Sequence, residues 1–206
     1  FEGKMRVRFT ILFGARLVLF IDRTAARGRY GEIMQMRRLA WLLLFGLAHH
    51  FLLWWGDILF LYALAGIAVM FLRGIPPLPL VAGATLAYLG WHLAGAIETM
   101  PAVLAEERTR LGIAGAQEAK GHAAFLAAFG ERAARELAEY RLGFVDQIGV
   151  RLNHHLLRPL EVAWASMGET LPLMLIGTVL QARGFFAGTW PRRRPSRRSR
   201  PRPRPA

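Results

Sequence analysis

Apolar residues in this chain come in long runs broken by short polar stretches, without the strict alternation of a half-buried strand. Positions 37–72, RRLAWLLLFGLAHHFLLWWGDILFLYALAGIAVMFL, hold two such runs on either side of Trp55-Gly56-Asp57. The hydrocarbon core of a bilayer asks for roughly 17–25 mostly apolar residues per helix. The two arms therefore read as membrane-spanning helices joined by a tight turn. Further runs lie at Phe9–Ile21, Leu78–Ile97 and Leu156–Leu180. The pattern predicts an all-α, polytopic transmembrane helix bundle of about five spans. Four fall within 1–99, at about 7–22, 38–55, 57–73 and 78–98, and the fifth lies at 154–183.

Between the fourth and fifth spans, 100–153 changes character. Its charges are mixed, and Phe125, Phe129, Ala133 and Leu137 recur every four residues, the spacing of an amphipathic helix. The fifth span is weak in its first half, where Arg158, Glu161 and Glu169 interrupt it. Pro172 is expected to kink it, because proline removes an intrahelical hydrogen bond. Residues 184–206 form a Pro/Arg-rich tail without the composition to build a core. Mean hydropathy is only +0.28 because this tail and the polar middle section dilute the spans.

Charge sets an orientation. The loop at 22–38 carries five arginines against two acids, which marks it as cytoplasmic by the positive-inside rule. Alternation then places the turn at 55–57 and the segment 100–153 outside, with Arg73 and the C-terminal tail inside. The net charge of +13 is mostly a tail property, since Pro191–Ala206 holds eight arginines and no acid. Such a tail beside a membrane helix is expected to meet anionic lipid headgroups of the bilayer. No nucleic-acid partner is expected, because no recognition motif accompanies the charge. Phe1 is not a start methionine and no signal peptide precedes the first run, so the chain reads as lacking its natural N-terminus. The tail reads as a polybasic end or a shifted reading frame.

Polar residues inside apolar runs are the candidates for chemistry, because they are expensive there. His49 and His50 differ by about 100° in azimuth on a helix, so one is expected to face the bundle and the other a neighbour or lipid. A buried histidine near a membrane surface suits a general base or ligand site; the structural alternative is capping or interfacial hydrogen bonding. Asp57 follows glycine at a helix start, the position of an N-cap, or else offers a carboxylate to His50 or Arg16. Arg16, His92 and Glu98 are the other polar residues in or beside spans. Trp54 and Trp55 match an interfacial aromatic belt. Gly83, Gly90 and Gly95 are expected to permit close helix packing. The chain has no cysteine, P-loop, GxSxG or HExxH. His154-His155 lacks an acid at ligand spacing, so no metal site is expected.

Four passages together resemble the YeiB-like family of bacterial inner-membrane proteins, whose function is uncharacterised. EGKMRVRFTILFGARLVLFIDR is similar to that family's GK-R-LFS-LFGAG segment. RRLAWLLLFGLAHHFLLWWGDILFLYALAG is similar to its arginine-led helix ending in WxGDIL-YA. EYRLGFVDQIGVRL and LMLIGTVLQARGFFAG resemble two later passages, so the resemblance runs over about residues 2–190. Arg16 stands where the family usually has glycine. The resemblance implies a multi-pass bacterial inner-membrane protein, a longer parent with helices before Phe1 and after Arg194, and kinship with multi-helix membrane acyltransferases. It also implies acyl-CoA as a donor. In those relatives the central histidine lies in a part absent here, so this stretch alone is expected to be inactive.

Three functions remain open at this point. The first is acyl transfer to an extracytoplasmic acceptor, with His50 and Asp57 as catalytic candidates. The second is a permease in which Arg16, His92 and Glu98 line a polar pathway. The third is a non-catalytic structural membrane protein.

Overall fold

The computed structural model describes residues 2–54 and 58–188. Within them the chain is all-α, with seven helices and no strand. They are α1 (Glu2–Ala25), α2 (Gly31–Leu52), α3 (Leu59–Leu72), α4 (Pro77–Arg110), α5 (Ala116–Tyr140), α6 (Phe144–His154) and α7 (Arg158–Ala182). Asp57 and Trp55 lie outside the described residues, as does the basic tail from 189 onward.

Helices stand where all five spans were expected, but only α4 and α7 are both long and apolar enough to cross a membrane. At 1.5 Å per residue, the 14 residues of α3 reach about 21 Å, short of a hydrocarbon core about 30 Å thick. Charges dilute the other two, Arg6, Arg8, Arg16 and Arg23 in α1 and Glu32, Arg37 and Arg38 in α2.

One boundary differs from expectation for a physical reason. The fourth helix does not stop at residue 98; it runs through Pro101 to Arg110. Proline there forfeits only the bond to the Ile97 carbonyl, and both residues are exposed. The helix ends instead at Gly112, whose φ of +68° suits a residue without Cβ. The Gly112 and Ile113 amides fold back onto the Thr109 and Arg108 carbonyls at 3.1 and 3.0 Å, closing the end. Pro172 likewise sits inside an unbroken α7.

α7 is the central element, packed against α1, α3 and α4. α1 and α3 run one way through the bundle and α2 and α4 the other, as the short α1–α2, α2–α3 and α3–α4 connections require; α7 follows α1, with Glu169 beside Arg6 and Val179 clustered with Ile21. Glycines set how closely the elements approach. A Cβ on Gly14 would lie 2.2 Å from the Met174 carbonyl oxygen, and one on Gly177 would lie 2.1 Å from that of Ile11. The backbones of α1 and α7 therefore touch, because glycine at both positions leaves no side chain between them. Gly168 makes room for the Trp91 ring and Gly66 for Leu39. Gly83, Gly90 and Gly95, the glycines expected to serve this purpose, have no atom within 4 Å of a Cβ position. They lie on exposed or thinly covered turns of α4, so packing was assigned to the wrong glycines.

The core between α1, α3 and α7 is built from Leu17, Ile21, Tyr62, Val69, Met174 and Val179. A polar relay crosses it near the start of α1. Thr10 Oγ1 donates to the Arg6 carbonyl at 2.8 Å, so its lone pair receives the Tyr62 hydroxyl at 2.6 Å. Arg6 is ion-paired with Glu169 at the same end, which accounts for one of the charges that weaken the sequence signal of α7. At the opposite end Arg73 reaches Glu32 at 2.6 Å, tying the end of α3 to the start of α2.

The outside of the bundle is unusually apolar. Leu86, Leu93 and Ile97 of α4 are 70%, 63% and 66% exposed, and little of this helix's apolar stretch is covered by protein. α5 has no buried residue, and Phe125, Phe129 and Leu137 remain exposed along it.

Candidate functional site

The sequence around residues 144–158 folds so that one helical face carries most of a polar cleft. Gln147, Arg151 and His155 are spaced four apart, which stacks them along one side of α6 and its C-terminal cap. Glu136, Glu139 and Tyr140 do the same at the end of α5. The narrow cleft between them is closed by His50 from the last turn of α2 and by Arg158 from the first turn of α7.

Arg151 pins this assembly. It is 7% exposed, and its Nη1 donates to the carbonyls of Phe51 and Leu53 at 3.2 and 3.1 Å. Those carbonyls belong to the unpaired end of α2, so the guanidinium both satisfies them and places positive charge at the negative end of the helix dipole. Its Nη2 donates to Gln147 Oε1 at 2.9 Å. The Gln147 amide in turn donates to the Tyr140 and Leu142 carbonyls at 3.1 and 2.9 Å, fixing the α5–α6 turn. Arg151→Met keeps the aliphatic stem but strands these acceptors. It is expected to lower stability by about 2 kcal/mol, read as a drop in Tm of the detergent-solubilised protein.

Two charge pairs line the mouth. Arg158 donates to Glu136 at 2.8 Å, and His155 Nε2 lies 3.3 Å from Glu139 Oε1. A neutral imidazole donating from Nε2 to the carboxylate keeps its lone pair on Nδ1. This is the arrangement of a general base whose tautomer is set by an acid. Two carboxylates, two guanidiniums and two imidazoles thus line one cleft. Among the described residues no three His, Asp or Glu side chains are grouped to hold a metal ion.

Of the residues put forward from sequence as catalytic or pathway candidates, the structure brings only His50 to this cleft. There it joins His155 and Arg158, which the sequence had marked only as half of an unsupported metal pair and as a charge in the fifth span. His50 is 2% exposed, and His49 beside it is half-buried and does not line the cleft, as their differing azimuths required. His92 lies exposed on α4, with Nδ1 2.9 Å from the Tyr88 carbonyl oxygen. Glu98 is exposed farther along the same helix, and Arg16 lines a separate cleft between α1 and α2. These three are not brought together. Asp57 lies outside the described residues. Sequence reasoning missed Glu139 and His155 as partners because 16 residues and a turn separate them. The four-residue stacking of Gln147, Arg151 and His155 was the available signal.

Comparison with known proteins finds similarity to the Bacillus subtilis (strain 168) protein named "Uncharacterized protein YxaH". The two are 39% identical over 88 residues, which cover 43% of this chain. The match spans 22% of that relative's own length. No protein-family model matches the chain, and no solved structure matches it.

Proposed function

We propose that this chain is part of a multi-pass bacterial inner-membrane protein whose five apolar helices span the bilayer. In this reading the α5–α6 cleft opens on the extracytoplasmic side and catalyses acyl transfer to a hydroxyl acceptor. The observation that carries the chemistry is the His155–Glu139 pair beside buried His50. Exposed apolar α4 supports the membrane setting, because a surface of that kind is stable against lipid and costly against water. The arginine loop before α2 supports this orientation. The resemblance to the YeiB-like family, with its acyltransferase kinship, supports the reaction class.

In the proposed step His155 takes the proton of an acceptor hydroxyl as its oxygen attacks the carbonyl carbon of an acyl thioester or ester. A new C–O bond forms and the bond to the leaving group breaks. The leaving group departs with the proton returned by the imidazolium. Arg158, at the mouth, offers positive charge to the developing oxyanion.

Membrane setting and reaction are tested separately. The protein is expected to stay in the membrane pellet through alkaline carbonate extraction; release into the supernatant overturns the membrane reading. Vesicles carrying the whole reading frame that contains this sequence are expected to move label from an acyl thioester to lipid or sugar hydroxyls. No transfer to either acceptor class, with the protein inserted, overturns the acyltransferase reading.

A further inference from the structure

A second cleft, on the opposite end of the bundle, has a different chemistry. On α1 the residues Arg16, Phe20, Arg23 and Arg27 follow i, i+4, i+7 and i+11 spacing, which aligns them on one side of the helix and its exit. The other side of α1, with Gly14, Ala15 and Ile21, is buried in the bundle. Across from the arginines, α2 presents Gln35 and Arg38. Together they bound a cleft of about 1100 Å³ including its mouth.

Three features distinguish it from an ordinary solvated basic face. First, four arginines converge on one concavity that, among the described residues, no carboxylate lines. Glu32, the nearby acid of α2, is engaged with Arg73. Second, the cleft is amphiphilic. Phe13, Leu17, Leu19 and Phe20 form its apolar wall, whereas Thr24 and Gln35, both buried, give it a polar floor. Third, one arginine is already held in place: the Arg38 guanidinium lies 4.3 Å from the Phe20 ring centroid and donates to Gln35 Oε1 at 3.2 Å. Like charges gathered in this way repel one another until an anion joins them, and guanidinium forks match phosphate oxygens.

We infer that this cleft is a binding site for one anionic phospholipid of the cytoplasmic leaflet. The phosphodiester sits among Arg16, Arg23 and Arg38, and an acyl chain lies along Phe13 and Phe20. The position argues for a lipid rather than a soluble anion. The arginines occupy the last turns of α1 and the first of α2, where the positive-inside loop meets the headgroups, and the apolar wall continues toward the bilayer core. The inference rests on the membrane setting proposed above, but the two fail differently. Carbonate release sinks the setting, whereas an inserted protein that does not discriminate lipids sinks only this site.

The test is native mass spectrometry of the full chain in detergent, titrated with phosphatidylglycerol or phosphatidylcholine. A saturable single adduct is expected, with phosphatidylglycerol preferred by about tenfold or more. Arg23→Gln combined with Arg38→Gln is expected to remove most of that preference. Arg197→Gln with Arg198→Gln, in the basic tail, is expected to leave it intact. Equal binding of the two lipids, or an unchanged preference in the cleft variant, overturns the site. So does loss of the preference in the tail variant alone, or displacement of the lipid by millimolar inorganic phosphate. Helical circular dichroism checks that the cleft variant folds. If it does not, single Arg38→Gln carries the same comparison, because Arg38 is exposed at the rim.

Discussion

Gly177→Leu is expected to force α1 and α7 apart and destabilise the bundle by about 3 kcal/mol, the upper part of the range for overpacking a filled interior. Two effects compete. Leucine is the better helix former, by roughly 1 kcal/mol relative to glycine, and that gain applies wherever glycine lies within a helix. Against it stands the Ile11 carbonyl oxygen, 2.1 Å from the first side-chain atom. This neighbour is backbone and has no rotamer to change. Relief therefore requires moving a whole helix, which also opens the reciprocal contact of Gly14 with Met174. Gly95→Ala is the matched control, since nothing lies within 4 Å of its Cβ position; it is expected to be neutral or slightly stabilising. Thermal unfolding in detergent measures both. If Gly177→Ala stabilised as Gly95→Ala does, the close α1–α7 crossing would be wrong.

That contrast shows what the chain makes legible and what it does not. Apolar runs mark helices well, because a long uninterrupted run has few other fates, and helices indeed lie at every place the runs predicted. Runs do not say which helices touch. Gly90 and Gly177 look alike in sequence, yet only the second lies at a crossing, because contact depends on α7 returning from the far end of the chain to the centre. The charges of α7 were misleading for the same reason. Glu169 weakens the apolar signal until Arg6, 163 residues earlier, is placed beside it. In the site, His50 was legible as an expensive polar residue on an apolar helix. His155 was not, because it lies in a polar segment where a histidine costs little, and its significance comes only from Glu139 on another helix.

His155→Ala is expected to reduce the proposed acyl transfer by at least about 100-fold, the lower range for losing a positioned general base. Glu139→Gln keeps a hydrogen-bonding group at 3.3 Å but removes the charge that stabilises the imidazolium, so a smaller loss, about tenfold, is expected by the same reasoning. The combination separates a catalytic pair from a structural one. Residues acting as a unit are not additive, so His155→Ala with Glu139→Gln should be no slower than His155→Ala alone. If the pair merely braced α5 against α6, the loss would instead track stability. Arg151→Met would then impair transfer as severely as His155→Ala, since Arg151 holds α6 to the end of α2 beside the same cleft through three hydrogen bonds, to Phe51, Leu53 and Gln147. His50 distinguishes the two further. Buried behind the pair, it shapes the floor of the cleft, so His50→Gln is expected to raise the KM for the acceptor more than it lowers kcat. The opposite split, with kcat falling as far as in His155→Ala, would transfer the role of base from His155 to His50.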